Sequence, residues 1–341
     1  MTRGEWLALG AVALILLGLP ALALGYEWVV RPALAPNRVI TIQAAAPEVG
    51  GFQPDAIRVT AGETVTLRFA GMDVAHGVAI GPGLGIDLGH VDPGKVEEIT
   101  LRFDQPGTYT YYCNSWCSPD HWRMRGVIEV IDPETGNSAP PPRPDPVIER
   151  LTAEGVDLDA HVNHAEEADH PHTDESSSFT VDARRGAARL ARLSIPLDVA
   201  TTEWLRHHTP EETVARLQAA NPGAVLAELR DASAALWMAQ ITPGALAEGE
   251  TLYAKNCAAC HGERGAADGP AAALTAERPA AFADTAYMFT MRDDVLYAKI
   301  RRGGMGTDMP NFGTIFTPEE TWALVDYART LAFNPDGTPA Q

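Results

Sequence analysis

The chain has 341 residues, 45% hydrophobic and 21% charged, the composition of a globular protein with room for two domains and connecting material. Its formal net charge of −19 argues against a nucleic-acid binder, which needs a basic surface for phosphates, and against a polybasic membrane-surface binder. A basic protein partner stays open, although much of the acidity sits in one segment.

The first element along the chain is "MTRGEWLALGAVALILLGLPALALGYEWVV". Trp6 to Gly25 is twenty residues without a charge, enough at about 1.5 Å per residue to cross a bilayer core. Arg3 precedes this run, so the positive-inside tendency leaves the N-terminus in the cytoplasm and the bulk outside. Ala21-Leu22-Ala23 resembles a signal-peptide cleavage site, the competing reading, but the run is longer than the usual signal core. Residues 1–35 are therefore expected to form a single-pass anchor in the inner (cytoplasmic) membrane, with contact to lipid, and a Pro-punctuated exit. The globular domains then lie on the periplasmic or extracellular side. Export permits disulfides, so four cysteines allow two bridges, yet each pair is embedded in residues that suit a metal or cofactor.

Residues 36–134 read as β. "TVTLRFA" alternates, placing Val65, Leu67 and Phe69 on one face, and "EEITLRF", "GTYTYYC" and "GVIEVI" are further β-rich runs separated by Gly, Pro and Asp turns. Short strands at this spacing predict an all-β sandwich or Greek-key barrel. Residues 135–186 read as a linker: a proline-rich stretch, then "EGVDLDAHVNHAEEADHPHTDESSS", acidic and too poor in large apolar residues to fold alone. Its His161, His164, His170 and His172 fit a solvated tether better than a metal site, since no cysteine or hydrophobic frame fixes a geometry.

Residues 187–240 read as helical and carry no recognisable chemistry. Thr209 and Pro210 cap "TPEETVARLQAA", and Asn221 and Pro222 repeat the device before "GAVLAELRDASAALWMA". A packing collar and a docking surface are both open for this segment. Residues 241–335 form an all-α domain. Thr242-Pro243 caps the helix that leads into "CAACH", and the last helix carries an apolar stripe of Trp322, Leu324, Val325, Tyr327 and Ala328.

In "CNSWCSPDHWRM", Cys117, His121 and Met124 follow Cys113 at intervals of four, four and three. Without metal this is a tight turn with an exposed disulfide. Two thiolates and an imidazole suit zinc, but a thioether beside them selects copper. A mononuclear blue-copper site needs only one thiolate, so the second competes unless two ions share both sulfurs. Two bridging thiolates would spread one unpaired electron over both metals and keep bond lengths nearly constant during transfer. A second imidazole has to come from elsewhere in the barrel, and "MDVAHGVAI" offers His76. Trp116 and Trp122 suit electron input or barrel-end packing, and His90 reads as a loop histidine.

C-x-x-C-H is the attachment motif of c-type heme: Cys257 and Cys260 form thioethers and His261 binds iron. The competing thioredoxin-like redox pair expects a βαβ context that is missing here. A downstream methionine should be the sixth ligand. Met288, Met291, Met305 and Met309 are candidates, and Met309 is favoured because Pro310 fixes the backbone after it, with Met305 as fallback.

These residues carry two resemblances. "FQPDAIRVTAGETVTLRFAGMDVAHGVAI" followed by "YYCNSWCSPDHWRMRG", over about residues 38–132, resembles the CuA cupredoxin domain of heme–copper oxidase subunit II, a module that also ends nitrous oxide reductases. The resemblance implies a dinuclear copper centre in which Cys113 and Cys117 bridge. His76 and Met124 complete one copper, His121 the other, and Ser115 adds its backbone carbonyl. Many such subunits have glutamate at the Ser115 position, which also meets a magnesium ion; serine cannot, so no magnesium is expected. Residues 245–332 resemble class I cytochrome c, which implies one covalent heme c with His261 and Met309 as axial ligands.

Together the resemblances imply subunit II of a membrane terminal oxidase with a fused cytochrome c. Such a subunit holds no catalytic residue: it passes electrons from an external cytochrome or copper protein to a catalytic heme–copper membrane subunit. A CuA-type nitric oxide reductase is the alternative within the same chemistry. A copper-delivery or metal-buffering protein is the alternative of another class. Nitrous oxide reductase is disfavoured for want of room for its propeller.

Overall fold

The computed structural model describes residues 2, 4, 6, 14–25, 37–137, 144–158, 179–304 and 307–333. At the N-terminus a π-helical turn, Leu14–Gly18, runs into helix α1 (Leu19–Gly25), with Leu14, Ile15, Leu16, Leu17, Leu19 and Leu24 all exposed. Among the described residues no helix is long and apolar enough to cross a membrane. The expected anchor, Trp6 to Gly25, lies partly outside them.

Among the described residues nine strands follow: β1 (Arg38–Ala44), β2 (Phe52–Gln53), β3 (Ala56–Thr60), β4 (Thr64–Gly71), β5 (His76–Gly81), β6 (Ile86–Val91), β7 (Val96–Arg102), β8 (Gly107–Tyr112) and β9 (Arg125–Ile131). They make two sheets, ordered β2-β1-β4-β7 and β3-β9-β8-β5-β6. The β1–β4 and β3–β9 pairs are parallel and the remaining pairs antiparallel. Strand β4 alternates as its sequence predicts, with Val65, Leu67 and Phe69 fully buried between the sheets. Phe52, Phe69 and Tyr111 meet edge to face at the centre, with centroids 5.3–5.9 Å apart. Strand β5 does not alternate: all six residues of "HGVAIG" are buried, because helical structure covers its outer face.

The helices are α2 (Pro146–Ala153), α3 (Ala183–Leu190), α4 (Thr202–His207), α5 (Pro210–Ala220), α6 (Leu226–Met238), α7 (Pro243–Asn256), α8 (Ala258–His261), α9 (Thr285–Thr290), α10 (Asp293–Arg302) and α11 (Pro318–Phe333). Thr209 caps α5 in a capping box with Glu212, and Thr242 caps α7 by accepting from the Ala245 amide. Asn221 departs from expectation. It ends α5 instead of starting α6, because its side-chain amide donates to the Leu217 and Ser194 carbonyls and its oxygen accepts from the Ser194 amide. Helix α6 begins four residues later than that cap would place it, after Val225.

The segment around 187–240 is a collar on the C-terminal helices. Val199, Leu205, Leu217, Leu229 and Trp237 share one core with Met288, Phe289, Leu296, Val325 and Phe333. A buried charge network crosses that core. Arg329 donates to Asp293 and to the Met288 and Met291 carbonyls, while Arg206 of α4 pairs with Asp293 at 3.2 Å and Asp326 at 2.7 Å. Part of the expected linker is also packed. Asp145 caps α2 and accepts from Tyr297, Leu151 is buried against Ala298, and Arg150 pairs with Asp294. Its four histidines, His161, His164, His170 and His172, lie outside the described residues.

Candidate copper and heme sites

Cys113 follows β8 directly, and Met124 precedes β9, which is paired with β8. The Cys113 amide donates to the Met124 carbonyl at 3.0 Å, so the twelve-residue loop is closed at its base and turned back by a 3-10 turn at His121–Arg123. Inside this loop the Cys113 and Cys117 sulfurs lie 3.9 Å apart, against about 2.05 Å for a disulfide, and both cysteines are free. His121 Nδ1 is 3.5 Å and Met124 Sδ 4.0 Å from the Cys117 sulfur. The Ser115 carbonyl oxygen is 3.1 Å from the Cys113 sulfur.

His76 comes from the neighbouring strand of the same sheet, as the first residue of β5, which pairs with β8, and is fully buried. Its Nε2–H donates to Asp73 Oδ1 at 2.7 Å, and Asp73 is held by the Ala46 and Val74 amides. That bond fixes the tautomer and leaves Nδ1 buried with no hydrogen-bond partner, facing the sulfurs. The ligand atoms of His76, Cys113 and Cys117 all lie within 4.8 Å of one another. A buried imidazole nitrogen without a partner costs free energy unless something accepts its lone pair. Two thiols, a second imidazole and a thioether beside it make a donor set that fits copper.

The two thiols influence each other. Hydrogen bonding to Cys117 brings Cys113 below its ordinary pKa, and Cys113 together with burial pushes Cys117 up to about 11. Binding of a metal to these sulfurs would require them as thiolates, so it would release protons.

His90 lies on β6, not in a loop, and is no part of this cluster; its Nε2 meets Ser115 Oγ at 2.8 Å. Asn114 donates to Asp87 of the same strand at 3.1 Å.

In the helical part, α7 delivers Cys257 at its C-terminus and α8 carries Cys260 and His261. His261 Nδ1–H donates to the Ala280 carbonyl at 2.9 Å, and its ring stacks on Phe282. Burial holds its pKa below the ordinary histidine value, so the imidazole stays neutral with Nε2 available to a metal. Met309 lines the same cleft as Cys257, Cys260 and His261. The Met309 amide donates to Thr307 Oγ1 and its carbonyl accepts from Gly304, which fixes the loop. Met288 and Met291 belong to the helical core, and Met305 lies outside the described residues. Two thiols, an imidazole and a thioether around one cleft fit a covalently held heme.

What sequence reasoning missed is that both groups open onto one cleft. Tyr112, Cys113, Trp116, His121, Trp122 and Arg125 line its other wall. The barrel and the helices also share an apolar seam, with Ala79 and Tyr112 against Phe312, Ile315 and Phe316. At its tightest point a Cβ on Gly81 would stand 2.2 Å from the Ile315 carbonyl oxygen. Lys255 pairs with Asp87 beside the seam, and Arg125 donates to the Asn311 carbonyl. The signal available in the sequence is the uninterrupted apolar run "GVAI", which does not alternate as a strand with one solvated face would.

Residues 43–131 match the family model described as copper binding proteins of the plastocyanin/azurin family, and residues 246–332 match cytochrome c. The chain thus carries a copper-binding β-sandwich domain followed by a helical region with a cytochrome c domain, a pairing that supports copper, heme and an electron-transfer role. Similar solved structures include a heme-copper terminal oxidase dimer, at 22% identity and TM-score 0.24 over 38% of this chain and 99% of that one. The periplasmic domain of cytochrome oxidase subunit II of Bradyrhizobium japonicum matches at 20% and 0.23, over 30% of this chain and 90% of that one. Auracyanin A, a blue copper protein of Chloroflexus aurantiacus, matches at 21% and 0.23, over 28% and 99%. At such scores the likenesses decide nothing about what this chain does.

Proposed function

We propose that this chain is the electron-input subunit of a membrane heme–copper terminal oxidase, carrying electrons from an external donor through heme c and a dinuclear copper centre to a separate catalytic subunit. The observation that carries the reading is the pair of unbridged cysteines 3.9 Å apart beside the unpartnered nitrogen of His76, with Cys113 lining the same cleft as His261 and Met309. Cys113, Cys117, His76, His121, Met124 and the Ser115 carbonyl hold the coppers. Cys257 and Cys260 tether the heme, and His261 and Met309 bind its iron. When bound, these groups supply one-electron storage at fixed positions. With these ligands neither group would keep an open position, so reduction of a gas would belong to the partner. The charge-free stretch before Gly25 supports a membrane anchor with the globular part outside the cytoplasm.

Metal analysis and electron paramagnetic resonance of the purified chain test this. Two coppers and one heme per chain, with a copper signal delocalised over both ions, are expected. One zinc, a cystine at 113 and 117, or copper that passes readily to chelators would refute it, the last in favour of a copper carrier. Oxygen uptake by the chain with its membrane partners, without nitric oxide reduction, separates the oxidase from the nitric oxide reductase.

A further inference from the structure

Arg125 stands out among the charged residues of the cleft wall. It is the first residue of β9, immediately after Met124, and its backbone pairs with Tyr112 across the ladder. Its guanidinium leaves the barrel, donates through Nη1 to the Asn311 carbonyl and stands 5.5 Å from the centre of the Phe312 ring. Among the described residues no carboxylate forms an ion pair with it. A partly buried cation without a counter-ion is costly, and an unbranched apolar side chain such as methionine would pack against Phe312 at lower cost. The position is therefore a poor choice for adhesion alone.

Its neighbours in sequence give it meaning. Asn311 is two residues beyond Met309, in the loop that the Thr307 hydroxyl and the Gly304 amide hold in place. From Met124 to Met309 the connection is thus covalent to Arg125, one hydrogen bond to Asn311, and covalent again through Pro310. Lys255, two residues before Cys257, also joins the two domains: it pairs with Asp87, which accepts from Asn114 beside Cys113, so it is a second link between the two loops, made by partly exposed groups.

We propose that Arg125 is a positioning residue that fixes the methionine loop of the cytochrome domain against the cysteine loop of the copper domain, setting the rate of electron exchange between them. This rests on the two-centre function proposed above. The test uses the full chain in detergent, loaded with copper and heme, with flash photoreduction of the heme and optical detection of its re-oxidation by copper. Wild-type protein with no such phase would refute the two-centre function itself and is read first.

Arg125→Met is expected to slow the phase by on the order of 10- to 100-fold, the scale of a small misplacement of reacting groups. The copper and heme spectra and midpoint potentials should stay as in wild type. Arg125→Lys should recover part of the rate, and Arg58→Met, which cuts an ion pair with Glu129 inside the barrel, should leave it unchanged. A wild-type rate in Arg125→Met overturns the proposal, as does an equal slowing in Arg58→Met, which would make the effect a general loosening of the barrel. If Arg125→Met fails to load a centre, Arg125→Gln, too short to reach Asn311, is judged by the same criterion.

Discussion

Removing the carboxylate behind His76 tests the copper site without touching any ligand. In Asp73→Ala the Nε2–H of a fully buried imidazole loses its acceptor at 2.7 Å, and the Ala46 and Val74 amides lose theirs. A buried donor left unsatisfied costs about 1–3 kcal/mol, so the apo barrel should melt several degrees lower. The ring is also freed to turn and to exchange tautomers. Loss of such an outer partner costs about 10- to 100-fold in metal affinity, or roughly 1.4–2.8 kcal/mol. Competition titration against a copper chelator measures this, and the heme absorption of the same sample reports whether the helical domain is intact. Wild-type copper affinity in Asp73→Ala would refute the argument that Asp73 fixes His76 for the sulfurs. Parallel loss of heme absorption would point to general unfolding.

Three further outcomes are expected. Met309→Leu should keep the heme through Cys257, Cys260 and His261 but change its absorption to that of five-coordinate iron and lower its midpoint potential; an unchanged spectrum would move the sixth ligand elsewhere. Gly81→Ala places a Cβ 2.2 Å from the Ile315 carbonyl, so the seam must open at about 1–3 kcal/mol; faster limited proteolysis between the domains, with both cofactors retained, is the reading. Asp326 has its pKa raised from the ordinary 3.8 to about 6, by burial first and by Asp293 second, against the pull of Arg206 and Arg329. Because the folded value is the higher one, the protonated native form gains, and its contribution of about 3 kcal/mol is present below pH 4 and lost as the pH rises through 6. Asp326→Asn should flatten that part of the pH–stability curve measured by denaturant melts, and an unchanged curve would refute the assignment.

The order of structural classes and the ligand-bearing motifs are legible in the sequence because each is a local matter. Alternation in "TVTLRFA" follows from the two-residue period of a strand, and Thr209 and Thr242 cap helices with atoms three residues away. Cys113, Cys117, His121 and Met124 come from one loop, so their spacing alone brings four soft donors together. Asn221 shows the limit of local reading: its cap-like sequence is overruled by Ser194, a partner 27 residues away.

By itself the sequence determined the inventory: a β domain with two thiols and a histidine-methionine pair, a helical domain with a heme motif, and an apolar N-terminal run. Only the tertiary structure decided the relations among them. It aimed the unpartnered nitrogen of His76 at the sulfurs, folded residues 187–240 and Pro146–Ala153 onto the cytochrome helices, and set Arg125 on the Asn311 carbonyl. Those relations join residues from dozens to 186 positions apart and depend on shape and burial summed over whole surfaces, a quantity that no short stretch of chain contains.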